Sequence, residues 1–195
     1  WVNATLNFAR RELVIPGARY DWVCYGNHED EFLKRHGVDV VGWLADALGM
    51  GCTPATYSGL CSSRLGFTRN GKPLRTQSYR VVWHHGKWGG KTDGMIPAQD
   101  WFGQIEGWDL ALYGHNHGQF AKPVIRRRIA GASLVDHRAY LVCCGSFVNA
   151  YQNEKATHYS ERAAYRASPY ANPPLITVKL VKGAGDRYYL DQKVE

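Results

Sequence analysis

The sequence has no apolar run approaching the ~18 residues that a membrane-spanning helix needs, which excludes an integral helical membrane protein. It has no Cys-x-x-Cys pair. Its five cysteines (Cys24, Cys52, Cys61, Cys143, Cys144) are odd in number and two are adjacent, which argues against a disulfide framework and a zinc ribbon and fits a reducing, cytoplasmic setting. Internal repeats and low-complexity stretches are absent. Carboxylates are scarce: 17 Asp and Glu stand against 24 Lys and Arg, a formal charge of +7 that favours anionic partners as a field effect and says nothing about fold. With 45% hydrophobic and 21% charged residues, disorder is excluded as the default, and 195 residues suit one domain spanning 1–195. An initiator Met is also missing, since the chain begins with Trp1.

What is present is a mixture of helix and strand signals. Residues 4–14 carry Leu6, Phe8, Ala9, Leu13 and Val14 at a mostly helical spacing and stop before Pro16. Residues 20–25 read as a short strand ending at Gly26. Glu29 to Met50 reads as helix interrupted near Gly37, with Trp43, Leu44, Ala47 and Leu48 as its buried stripe. Residues 62–85 read as a hairpin turning at Asn70-Gly71. A weak helix over 97–107 precedes strands at 109–113, 121–130 and 138–144. A final hairpin joins 174–181 to 187–190, and 151–173 form a polar, turn-rich loop or tail. The class is therefore α/β or α+β with a substantial sheet.

Five of the eight histidines fall in three clusters, each directly after an apolar strand: Gly26-Asn27-His28-Glu29, then His84-His85-Gly86, then Gly114-His115-Asn116-His117. Ligand sites of open α/β sheets lie outside the carboxyl ends of their strands, so three such loops on neighbouring strands converge. Neutral imidazole is the commonest side-chain ligand for divalent metals, and an Asn oxygen suits hard or borderline ions. His36, His137 and His158 have no partners at motif spacing and read as structural or exposed. Cys24, Cys143 and Cys144 lie in apolar runs and read as buried fillers.

In order and context, the three clusters resemble the second half of the calcineurin-like metallophosphoesterase signature, Gly-Asn-His-Asp/Glu, then His, then Gly-His-x-His. Cys144-Gly145-Ser146-Phe147 followed by Tyr159-Ser160-Glu161 is similar to phage and prophage members of that family. The resemblance implies an α/β fold of the metallophosphoesterase type, a two-sheet β-sandwich flanked by helices. It also implies two divalent ions (Mn, Fe or Zn) that activate a water for in-line hydrolysis of a phosphate ester. By that resemblance Asn27, His85 and His115 bind one metal and His117 the other. His28 acts as general acid or charge stabiliser at the leaving oxygen. Glu29 orients a neighbour, and His84 and Asn116 lie beside the ligands or the substrate. His84 is the alternative to His85, which the family pattern prefers because it directly precedes Gly86.

The first half of the signature is not there: neither Asp-x-His nor an upstream Gly-Asp-x-x-Asp occurs. With Trp1 at the start, the expectation is an incomplete domain lacking its N-terminal strands, with residues 4–14 as the helix that follows the second motif, binding metal weakly and turning over little. The expected partner is a phosphorylated substrate, with nucleic acid as the alternative and no membrane. Two other readings are a DNA phosphodiesterase and an inactive module of this fold binding nucleic acid or a protein. Arg126-Arg127-Arg128 with Lys122 reads as a solvated strand in preference to a phosphate-contacting run. Trp83, Trp88 and Trp101 read as core before groove, and Lys87, Lys91 and Asp93 as loop residues within reach of a substrate.

Overall fold

The computed structural model describes Asn7, Arg11 and residues 17–49, 53–70, 72–86, 95–115, 119–144, 174–182 and 188–194. The helix expected over 4–14 and the segment 151–173 fall outside these, apart from Asn7 and Arg11, which are helical. The chain divides into two compact units, Trp1–Gly59 and Leu60–Glu195. The protein is mixed α/β with far more strand than helix, and among the described residues no helix is long and apolar enough to cross a membrane.

In the first unit, strand β1 (Trp22–Cys24) pairs in parallel with β2 (Thr53–Ala55), and helices α1 (Asn27–His36) and α2 (Val40–Leu48) connect them. The break near Gly37 is where it was expected. Gly37 takes φ 67, a left-handed conformation that suits glycine, and its N–H donates to the Leu33 carbonyl at 2.8 Å. Asp39 then caps α2 by accepting the Gly42 N–H at 2.8 Å. The buried stripe differs from the expected one: Val41 and Ala45 are buried, whereas Trp43 is 44% exposed. With the helix starting at Val40, positions 41 and 45 share one face, and position 43 lies ~200° around the axis from 41. Strand β2 carries no strand signal in sequence, because Pro54 and Ala55 are poor strand formers. It forms because β1 offers a pairing edge.

The Tyr25 hydroxyl, just past β1, donates to Asp39 Oδ1 at 2.7 Å and ties the strand to the α2 cap. That hydrogen bond, with partial burial and the nearby carboxylate charge, raises the Tyr25 pKa from 10.0 to about 12. Burial raises the Cys24 thiol from 9.0 to about 11. Both groups keep their protons in the folded chain at pH values where the unfolded chain has lost them. Their contribution is therefore complete below pH 9 and is lost as pH rises to about 11 and 12. Thermal melts are expected to fall steeply above pH 9 in the native chain and less steeply in a Cys24→Ala/Tyr25→Phe double variant. Equal slopes would contradict this assignment.

The second unit is built on a five-stranded sheet in the order β3-β4-β5-β7-β6. Strands β3 (Ser58–Arg69) and β4 (Lys72–His84) turn at Asn70-Gly71 as expected, with Asn70 at φ 52. Helix α3 (Met95–Gly103) lies between β4 and β5 (Leu110–Tyr113) in the chain, and these strands are parallel. Strands β6 (Gln119–Ala130) and β7 (Ser133–Cys144) form a long antiparallel hairpin, and β7 runs parallel to β5. Strands β8 (Ile176–Lys182) and β9 (Tyr188–Val194) pair as a separate antiparallel ribbon.

The sheet alternates its side chains, so Val82, Ala111, Tyr113, Ala139, Leu141 and Cys143 face one way and form a core with Ala98 and Phe102 of α3. Val81, Leu110 and Val142, on the other face, are buried as well. Burial on both faces is why these strands read as near-continuous apolar runs.

The same alternation divides the basic run of β6. Lys122 and Arg126 lie on the α3 face: Lys122 Nζ donates to Gln99 Oε1 at 3.4 Å, and Arg126 donates to the Gly103 carbonyl at 2.9 Å and to that of Ile105. The Arg126 guanidinium also lies 5.4 Å from the centre of the Trp108 ring. Arg126 is thus a cap on the carboxyl end of α3, not the solvated residue expected from the charge run. Arg127, on the opposite face, is exposed and pairs with Asp136 at 3.4 Å.

Candidate functional site

Parallel pairing places the carboxyl ends of β4, β5 and β7 on one edge of the sheet. The β4–β5 register sets His84 beside Tyr113, and the ladder runs one step further, with the Gly114 N–H donating to the His85 carbonyl at 3.2 Å. His85 and His115 therefore leave neighbouring strands almost level with each other. Their rings meet edge to face with centroids 5.2 Å apart, and His115 Nδ1 stands 3.3 Å from His85 Nε2.

The backbone around the pair is unusual. Gly86 is buried at φ +93, and a Cβ there would sit 2.7 Å from the Gly114 carbonyl oxygen and 3.1 Å from His115 Cβ. His115 itself takes φ 71. A non-glycine residue in the left-handed region costs ~1–3 kcal/mol and persists only where its surroundings enforce it, most often at functional sites.

His84 ends β4 on the α3 face, where its ring packs edge-on against Trp101 at 4.6 Å. Its Nδ1 accepts the Gly86 N–H at 2.8 Å. Neutral imidazole carries one N–H, so with Nδ1 accepting, the hydrogen is on Nε2 and no lone pair remains for a metal. Trp101 joins Phe102 in the core and braces His84 there.

The separation within the His85–His115 pair fits a shared ion. Two nitrogens each ~2.05 Å from an ion at a tetrahedral angle stand ~3.3 Å apart. Among the described residues, no group of three or more His, Cys, Asp or Glu side chains gathers to hold a metal, so the described donor set is two imidazoles. Cys144 ends β7 on the same edge and is half-buried.

The first histidine cluster lies in the first unit, at the start of α1. Gly26 is the buried residue before the helix, and the Glu29 carboxylate reaches back to accept its N–H at 3.1 Å. Glu29 thus holds the Gly26 backbone at the helix entry. Asn27 is the first helical residue and is half-buried, and His28 follows it, exposed. The described structure brings His85 and His115 together in the second unit and sets Asn27, His28 and Glu29 in one helical turn of the first. Asn116, His117, Trp88, Lys87, Lys91 and Asp93 lie outside the described residues.

At the opposite end of β5 is a constellation without a sequence signal. The buried Asp109 accepts the Arg80 N–H at 2.7 Å through Oδ2, and its Oδ1 stands 3.2 Å from His137 Nε2. That ring nitrogen is also 3.0 Å from the Trp108 carbonyl. Since both neighbours are acceptors, Nε2 carries the hydrogen. Gln192 of β9 donates to the carbonyls of Asp109 and Arg138, each at 3.2 Å, and accepts the Tyr79 hydroxyl at 2.9 Å. His137, with no partner at motif spacing, is a structural residue here, as expected.

Compared with protein-family models, curated proteins and solved structures, the chain matches none of them.

Proposed function

We propose that this chain carries the metal-binding core of a calcineurin-like phosphoesterase, with the two-sheet sandwich of that family as its finer architecture. The reading rests on the His85–His115 pair, whose ring nitrogens lie 3.3 Å apart at the carboxyl edge of parallel strands. Mn²⁺, Fe or Zn²⁺ suits an imidazole pair completed by oxygen donors. When bound, such an ion supplies Lewis-acid and water-activating chemistry to a phosphate ester.

The chain's own residues have distinct tasks in this reading. His85 and His115 hold the ion from rings set by two adjacent strand ends. In the family pattern the position of Asn27 supplies a side-chain oxygen ligand, and that of His117 a ligand to a second ion. His28, exposed at the start of α1, would give a proton to the leaving oxygen, the role the family resemblance implies. Glu29 holds the Gly26–Asn27 backbone in its helical entry.

The test is titration with Co²⁺ or Zn²⁺, together with Mn²⁺-dependent hydrolysis of an aryl phosphate, an aryl phosphodiester and single-stranded DNA. Ion binding at the pair is expected, lost in both His85→Ala and His115→Ala, along with hydrolysis of at least one substrate. A chain that binds no ion overturns the reading. Ion binding without hydrolysis of any of the three overturns the enzymatic part and leaves a non-catalytic module.

A further inference from the structure

The carboxyl end of β4 holds two adjacent histidines, and the ligand role accounts for only one. We infer that His84 is a positioning residue for the His85–His115 pair, acting through the backbone turn at Gly86. The inference rests on the metal reading only for what the pair holds; the positioning itself is a statement about the chain.

The chain of contacts is short. His84 Nδ1 accepts the N–H of the residue two positions on, at 2.8 Å. This is the pattern by which an Asn or Asp side chain closes a turn on its own backbone. It fixes the orientation of the peptide between His85 and Gly86. Gly86 in turn lies against the Gly114 carbonyl and His115 Cβ with no room for a side chain. On the other side of that peptide, the His85 carbonyl accepts the Gly114 N–H at 3.2 Å. The peptide that His84 holds is therefore the one that carries His85 and abuts His115. The His84 ring is itself held from behind by Trp101 at 4.6 Å. The two rings of the pair meet from different strands, so a change in the Gly86 turn moves one ring relative to the other.

Two substitutions separate this role from general packing. His84→Asn keeps an acceptor for the Gly86 N–H and loses the ring. His84→Phe keeps a ring against Trp101 and loses the acceptor. Hydrogen exchange of the Gly86 amide in the metal-free chain is expected to be slow in the native protein and His84→Asn and fast in His84→Phe. Nitrogen-15 spectra of the native ring should show hydrogen on Nε2 and none on Nδ1. In Co²⁺ titrations His84→Phe should weaken binding by about 10–100-fold, and His84→Asn by no more than about 3-fold.

Equal amide exchange in all three chains, or hydrogen on Nδ1, overturns the inference. So does a His84→Phe variant that binds Co²⁺ as the native chain does. A native chain that binds no Co²⁺ yet shows the expected exchange pattern overturns the metal reading and leaves the positioning role standing.

Discussion

Replacing Gly86 with alanine is expected to cost about 3 kcal/mol of stability and to abolish ion binding at the histidine pair. Two independent penalties add. The backbone there is at φ +93, where a side chain is strained whatever space is available. The new methyl would also lie 2.7 Å from the carbonyl oxygen of Gly114, a residue whose N–H is tied to the His85 carbonyl. Relief requires the His85–Gly86 turn to lift off β5, and this separates His85 from His115. Urea denaturation gives the stability, and Co²⁺ titration reports the pair. The comparison is Gly103→Ala, in α3, where a Cβ meets nothing within 4 Å. A Gly86→Ala chain as stable as Gly103→Ala would contradict the geometry.

Asp109→Ala is expected to destabilise the second unit by about 3–5 kcal/mol, as removing one member of a buried charged cluster does. Asp109 links four strands. Its N–H donates to the Arg80 carbonyl at 2.9 Å and its carboxylate accepts the Arg80 N–H, closing a reciprocal pair with β4. Its carbonyl accepts from Tyr140 of β7 at 3.0 Å and from Gln192 of β9. Truncation leaves the Arg80 N–H without its acceptor and His137 without its carboxylate, beside a buried position. Asp109→Asn keeps an oxygen for the Arg80 N–H and should cost about 1 kcal/mol, the loss of the charge-assisted contact to His137. A smaller loss in Asp109→Ala than in Asp109→Asn would show that the carboxylate is not what joins the strands. Because this cluster is at the other end of β5 from His115, ion binding in Asp109→Asn should match the native chain.

Much of the scaffold of the site was readable in the residue pattern. Strands ending at His84 and Tyr113, the turn at Asn70-Gly71 and the break at Gly37 all follow from local chemistry: apolar runs stop at glycine, and glycine or Asn takes the left-handed turn. Elements lying on polar residues were less legible. Strand β7 begins at Ser133, where Ser, Asp and His mask any strand signal, and it extends that far because every residue there has a partner on β6. Strand β9 runs on through Asp191, Gln192 and Lys193 for a similar reason: Gln192 exchanges solvent for Asp109, Arg138 and Tyr79.

The sequence alone determined which residue types stand at the strand ends, that His85 precedes a glycine, and that a mixed α/β chain carries them. These are properties of neighbours along the chain, and periodicity and turn chemistry report them. Only the tertiary structure decided that His85 and His115 meet at 3.3 Å, that His84 holds the Gly86 N–H, and that Arg126 caps α3. Each of these depends on strand register. A shift of one residue in the β4–β5 pairing would leave every local signal unchanged while turning the wrong side chains toward one another.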